Sequence, residues 1–160
     1  SFKPDGVITA GNSSQISDGA AALLLVSEDI LNKFNLEPIA KIKSMAVVGT
    51  DPVLMLSGPI PATRKALDQA KLKPEDINLA EINEAFSSVV GAWRKEFPEI
   101  NYENVNANGG SIAIGHPLGA TGARLMTNLI HEMKRNKLKY GLQAICEGGG
   151  TANATIVELV

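Results

Sequence analysis

Three loop positions carry side chains able to pass protons and hold developing charge: Asn83 in Asn-Glu-Ala-Phe, His116 in Gly-His-Pro-Leu-Gly, and Cys146 in Cys-Glu-Gly-Gly-Gly. His116 is one of two histidines and is enclosed by Gly115, Pro117 and Gly119, a rigid loop that leads into a helical pattern. The positive end of a helix disfavours imidazolium, so this layout predicts a lowered pKa and a neutral base near physiological pH. An idle loop histidine fits the same residues about as well. Cys146 is the only cysteine, ends an apolar run and precedes three glycines, so its thiol and backbone amides could meet at one spot, as thioester chemistry requires. A lone cysteine in an apolar strand is more often inert core. Asn83, ahead of an amphipathic run, is more often a helix N-cap. Met55 and Phe86, taken singly, read as core. The spacing Gly115, Gly119, Gly122 also suits a turn that cradles phosphate. A histidine and a proline inside that turn would obstruct the approach, and no ribose-binding acid follows the helix.

Each of these loops must be held by regular elements, and the apolar spacing assigns them. The continuously apolar run 20–27 after Asp18-Gly19 predicts a strand buried on both faces. A short helix over 28–34 and a strand over 40–48 follow, then a loop rich in glycine and proline over 49–61, long for a plain connector. Helical spacing of Ala62, Ala66, Leu67 and Ala70 behind Pro61 predicts a helix over 62–71. A strand over 78–82 runs into a helix over 84–97, whose apolar face is Ala85, Phe86, Val89, Val90, Trp93 and Phe97, with Asn83 at the junction. The helix over 120–137 is predicted to face inward through Ala123, Met126, Leu129, Ile130 and Met133 and outward through Arg124, Asn128, Glu132 and Arg135. Two strands, 140–146 and 153–159, are joined by the glycines as an antiparallel pair. The order βαβαβα then ββ predicts a layered α/β domain over residues 1–160 with a mixed five-stranded sheet. Active sites collect at strand ends in such sheets, where Asn83 and Cys146 stand.

Composition limits what this chemistry could act on. At 160 residues, 44% hydrophobic and 20% charged, the chain can bury one sizeable core. Its 15 basic and 17 acidic residues nearly cancel without a basic stripe, which argues against nucleic-acid partners. The longest apolar run is far too short to span a bilayer, and no secretory layout opens the sequence. A single cysteine excludes an internal disulfide and cannot build a metal cluster, so the expected compartment is reducing, with the cytoplasm as the default. An organelle signal would lie outside these residues.

The three motifs occur in a fixed order: Asn-Glu-Ala-Phe, then Asn-Gly-Gly-Ser-Ile-Ala-Ile-Gly-His-Pro-Leu-Gly-Ala-Thr-Gly-Ala-Arg, then Cys-Glu-Gly-Gly-Gly-Thr-Ala-Asn-Ala. Together with Thr9-Ala10-Gly11-Asn12-Ser13-Ser14, Asp18-Gly19-Ala20-Ala21 and Gly58-Pro59-Ile60-Pro61-Ala62, they resemble the signatures of thiolases along essentially the whole chain. The resemblance is to the C-terminal part of a thiolase and implies one βαβαβαββ half of the family fold. It implies acyl transfer by reversible Claisen condensation or thiolysis of acyl-CoA, with a coenzyme A thioester as substrate, no cofactor and no metal. In that likeness His116 is the base that activates a nucleophilic cysteine and then helps bind the thioester oxygen. Asn83 holds the water completing that oxyanion hole, Cys146 shuttles the substrate proton, and Gly148 lends an amide to a second oxyanion hole. Ser14 and Ala10 match positions along the pantetheine arm, and Met55 and Phe86 match positions lining the acyl pocket. The acylated cysteine of thiolases lies in their N-terminal half, and the one cysteine here already matches the other role. The chain alone is therefore expected not to turn over, being either a piece of a longer subunit or one chain of a split enzyme. Acyl-CoA, an N-terminal thiolase half in the same or a partner chain, and homo-oligomerisation are the implied partners. A non-catalytic thiolase-like domain that binds acyl-CoA or serves assembly is the second reading, and a nucleotide-binding module the third.

Overall fold

The computed structural model describes all 160 residues. Four strands, β1 (Ala40–Gly49), β2 (Leu79–Ile82), β3 (Tyr140–Cys146) and β4 (Thr151–Leu159), form one mixed sheet in the order β1-β4-β3-β2. β4 runs antiparallel to both neighbours, whereas β2 runs parallel to β3. A parallel pair needs a long crossover. Here that connection carries α3 (Ser87–Glu96), the short turn α4 (Ser111–Ile114) and α5 (Thr121–Asn136), and both the Asn83 and the His116 loops lie on it.

Side-chain alternation along the strands builds two cores. Ala80 and Ile82 of β2, with Leu142 and Ala144 of β3, pack with Ala62, Ala66 and Leu67 of α2 (Pro59–Ala70) and Trp93 of α3. The Trp93 ring nitrogen donates to the Thr63 hydroxyl at 2.9 Å, so the one polar atom of this large buried side chain is satisfied while it joins α3 to α2. The opposite face, through Leu79 and Val157, meets Leu129 and Met133 of α5. The result is a three-layer α/β/α arrangement, as the alternation of strand and helix patterns predicts.

The sheet has four strands and not five. Residues 20–26 form neither helix nor strand and lie outside the sheet, with Leu24 82% and Leu25 66% exposed. A strand apolar on both faces needs cover on both faces and a ladder partner. Nothing in this chain supplies them: β1 and β2 form the two edges, and neither pairs with the run. The rest of the element order follows the sequence closely, including α1 (Glu28–Phe34). α2 starts inside the expected loop, at Pro59. The helix after Asn83 starts at Ser87, because Phe86 is held extended by the N-terminal segment: Ser13 bridges Phe86, and the Ser14 amide donates to the Ala85 carbonyl at 3.0 Å. In α5 the inward stripe is Thr121, Leu125, Leu129 and Met133, and Arg124, expected on the solvent side, is half-buried.

Close approach of α5 to the sheet depends on Gly141. A Cβ there would stand 2.4 Å from Met133 Sδ and 2.9 Å from Leu129 Cδ1. Gly141→Ala is expected to lower stability by about 1–3 kcal/mol, the usual cost of an overpacked core. Urea unfolding checks this, with a lower midpoint at an unchanged slope as the expected result.

Candidate active site

β2 and β3 run parallel in the register Ile82↔Ala144, so the chain leaves both strands at the same edge of the sheet. The Asn83 amide donates to the Ala144 carbonyl at 3.0 Å, which continues the ladder by one bond and brings the Asn83 side chain beside Cys146. Both residues are buried. Asn83 Nδ2 points at Cys146 Sγ, 3.9 Å away, and Asn83 Oδ1 accepts from the Ser111 hydroxyl at 2.9 Å. The asparagine is thus not an N-cap, since the helix that follows is capped at Phe86, and the buried cysteine has a polar neighbour in it.

Burial is the main influence on Cys146 and raises its pKa; the Asn83 amide and the backbone amides of Cys146 and Ala85 oppose it, while Glu147 adds to it. The group is accordingly a neutral thiol at physiological pH. A buried thiol with a raised pKa is not a standing nucleophile.

His116 occupies a turn stitched to the N-terminal segment: its amide donates to the Gln15 carbonyl at 2.7 Å, and Ile16 bridges it in parallel fashion. Gly115 has φ +86, and a Cβ there would meet the Ser17 hydroxyl, so the turn is closed to other residues. The imidazole Nδ1 lies 2.7 Å from Thr121 Oγ1, and the Thr121 hydroxyl donates its only proton to the Pro117 carbonyl at 2.9 Å. Thr121 can then only accept from the ring, which fixes the proton on Nδ1 and leaves Nε2 with a free lone pair. The pKa of His116 is lowered, as the sequence predicts, but for other reasons: burial comes first and the Arg124 guanidinium second. A neutral, oriented imidazole base is the outcome.

With this geometry in hand, comparison with known proteins identifies the family. The thiolase C-terminal domain matches residues 36–159, and the thiolase N-terminal domain matches residues 1–29. The chain belongs to the thiolase family. It is 55% identical, over 153 residues, to a steroid 3-ketoacyl-CoA thiolase of Mycobacterium tuberculosis, covering 96% of this chain and 37% of that protein. An acetyl-CoA acetyltransferase of Shinella zoogloeoides is 48% identical over 160 residues, covering 98% of this chain and 40% of the relative. Among solved structures, a Bacillus anthracis acetyl-CoA acetyltransferase superposes with a TM-score of 0.94 at 44% identity, over 98% of this chain and 39% of that one. Human mitochondrial 3-ketoacyl-CoA thiolase in complex with CoA gives 0.92 at 40% identity, over 100% and 40%. This thiolase chain thus spans about two-fifths of the length of the curated relatives it matches.

The remaining expected site residues distribute unevenly around this thiolase site. Ser14 reaches the Asn83 loop, its hydroxyl donating to the Ala85 carbonyl at 3.4 Å, and Phe86 sits on the same loop, bridged by Ser13. Gly148 is exposed in the turn directly after Cys146, with open space where a Cβ would stand. Met55, at φ +38, lies in the segment that abuts the turn: the neighbouring Thr50 amide donates to the Gly150 carbonyl at 2.7 Å. Ala10 is exposed in a 3-10 turn, and no hydrogen bond joins it to the Asn83, His116 or Cys146 loops. An open cleft between residues 17–21 and 117–120 lies beside the His116 turn, away from Cys146. No helix is long and apolar enough to cross a membrane.

Sequence reading missed Ser111, Arg124 and Glu81. The first two lie in the motifs already singled out, but their direction depends on how α4 and α5 fold back on β2. Glu81 interrupts the buried strand β2, and that anomaly was its available signal: it is fully buried and neither carboxylate oxygen has a partner. Burial raises its pKa from 4.5 to about 8, with Arg124 lowering it and Glu84 raising it to smaller degrees. The folded pKa lies above the unfolded one, so the folded state holds the extra proton between these values. Stability from this group is full below pH 4.5 and is lost as pH rises toward 8, at about 1.4 kcal/mol per pH unit within the window. Glu81→Gln is expected to flatten that slope, measured by denaturant unfolding between pH 5 and 8. Parallel slopes in the two proteins would mean that Glu81 is ionised at neutral pH.

Proposed function

We propose that this chain forms the C-terminal part of an acyltransferase that breaks 3-ketoacyl-CoA by thiolysis or condenses two acyl-CoA molecules, with concentrations setting the direction. The nucleophilic cysteine comes from an N-terminal thiolase half in the same or a partner chain. The carrying observation is the meeting of a neutral buried thiol, Cys146, with the Asn83 amide at one sheet edge. Claisen chemistry needs a proton carrier and a donor to an oxyanion side by side, and this arrangement supports both.

In thiolysis, the free Nε2 lone pair of His116 takes the proton of the nucleophilic thiol, which attacks the 3-keto carbon. The alkoxide is held by imidazolium and by a water on Asn83. Collapse breaks the bond between the α- and β-carbons, leaving acyl-enzyme and the enolate of acetyl-CoA. Cys146 gives its proton to that α-carbon. The resulting thiolate takes the proton of incoming CoA, whose sulfur attacks the acyl-enzyme and frees the nucleophilic thiolate to recover its proton from His116. The Gly148 amide steadies the enolate oxygen. Ser14 and Ala10 run along the pantetheine arm, while Met55 and Phe86 line the acyl pocket. The names of the relatives, acetyl-CoA acetyltransferase and 3-ketoacyl-CoA thiolase, support the reaction class. Coenzyme A in the human structure supports the substrate.

The unpaired run 20–26 supports the need for a second half, since an apolar strand without a sheet is completed by one from outside. The reaction is assigned to the cytoplasm and to a homo-oligomer. Acetoacetyl-CoA thiolysis should be absent from the chain alone and appear when a separately expressed nucleophile-bearing half is added. In the assembled enzyme, Cys146→Ala or His116→Ala should lower kcat by roughly 10²–10⁴-fold, the usual worth of a proton-transfer group. Unaltered turnover in either variant, or none in a demonstrably assembled mixture, would favour an acyl-CoA-binding or assembly domain instead.

A further inference from the structure

We propose that Arg124 is a positioning residue that orients the Asn83 amide and the His116 turn together, through a hydrogen-bonded relay running Gly115–Arg124–Ser111–Asn83–Cys146. The inference rests on the catalytic reading of His116, Asn83 and Cys146 given above.

The relay has a single polarity. A guanidinium can only donate. Arg124 Nη1 donates to the Gly115 carbonyl at 2.8 Å, on the turn that presents His116, and Nη2 donates to the Ser111 hydroxyl at 3.3 Å. The Ser111 oxygen is thereby the acceptor on one side, and its own proton goes to Asn83 Oδ1 at 2.9 Å. An asparagine whose oxygen is engaged in this way must present its NH2 on the other side, toward Cys146 Sγ. Take away the pure donor at the head and Ser111 is free to turn its proton to a nearby carbonyl. Asn83 can then flip, turning an acceptor instead of a donor toward the sulfur and toward the water it is to hold. Geometry ties the orientation of the Asn83 side chain, and the turn that carries His116, to one arginine on α5.

Surroundings keep that arginine in place and keep its charge active. Leu79, Glu81 and Asn83 alternate onto the face of β2 that looks at α5. Arg124 Nε and both Glu81 oxygens are buried without a partner, so no salt bridge diverts the fork, whose Nη1 also reaches the Ile114 carbonyl at 3.4 Å on the same turn. Glu81 is held protonated near neutrality by burial, and Arg124 and Glu84 are the charges that act on it. The charge of Arg124 is therefore uncancelled by Glu81 and bears on His116, lowering its pKa alongside burial. For Cys146 the charged neighbour is Glu147, and Asn83 opposes it.

The test compares Arg124→Met, Arg124→Lys and Ser111→Ala in the assembled enzyme with both halves present. Three readouts are used: kcat against KM for acetoacetyl-CoA, the His116 titration by NMR, and the pH dependence of iodoacetamide labelling of the Cys146 peptide by mass spectrometry. Arg124→Met should lower kcat roughly 10- to 100-fold with KM little changed, as a misaimed group does. It should also raise the His116 pKa and move Cys146 labelling to higher pH, because the Asn83 donor is lost. Arg124→Lys keeps the charge without the fork, so the His116 titration should stay near wild type while kcat still falls. Ser111→Ala, the milder change should Arg124→Met fail to fold, should move Cys146 labelling upward and leave His116 where it was. A merely structural arginine would lower the melting temperature and shift neither titration, which would overturn the proposal, as would unchanged Cys146 labelling in Ser111→Ala. Intact turnover in Cys146→Ala would instead sink the catalytic reading on which this one rests, so the two failures are distinguishable.

Discussion

β2 and β3 run parallel and end together, and the site is assembled from the residues just beyond their shared end. One more ladder bond, from the Asn83 amide to the Ala144 carbonyl, carries Asn83 to the level of Cys146. Were these strands antiparallel, residues leaving them would emerge at opposite edges, some 15–20 Å apart for strands of ordinary length. Parallel pairing also obliges the chain to make a long crossover. That crossover brings back α5 and, ahead of it, the turn bearing His116. The direction of one short, wholly buried strand thus brings Asn83 and Cys146 together and puts the His116 turn on the same crossover.

Electrostatics then gives His116 and Cys146 opposite tendencies toward protonation. His116 is kept neutral by partial burial and by Arg124, and its Nδ1 is committed to Thr121, whose own proton is committed to Pro117. Cys146 is kept as a thiol by deeper burial. One group thus has its proton pushed off and the other has its proton held on, and burial is the leading cause in both cases. The same low-dielectric environment accounts for Glu81, an acid neutral at physiological pH inside the strand that carries Asn83.

The N-terminal segment is part of this site despite lying outside the sheet. Residues 13–16 bridge both Phe86 and His116, which keeps Phe86 extended and delays the start of α3. Residues 20–26, a few positions further on, expose leucines that no element of this chain covers. One stretch of polypeptide therefore touches both the Asn83 and the His116 loops and continues into an exposed apolar run. Thiolase N-terminal similarity over residues 1–29 fits that division of the chain.

Much of this was legible in one dimension. Local rules suffice for the helix over Glu28–Phe34, for the final hairpin and for the three loops that carry Asn83, His116 and Cys146, because caps, glycines and apolar period are properties of neighbouring residues. Motif order was enough for the family, since each motif is a short constraint on backbone and chemistry combined. Pairing was not legible: the run 20–26 has the pattern of a central strand, and only the completed sheet reveals that it has no place in it. Nor were the states of the polar groups. Asn83 as relay and not cap, Arg124 turned inward and not out, Glu81 protonated, and the tautomer of His116 all depend on atoms distant in sequence brought within hydrogen-bond reach and removed from water. Sequence determines which groups are available and which local backbone holds them; burial and pairing, which exist only once the layers close, decide how each group is charged and where it points.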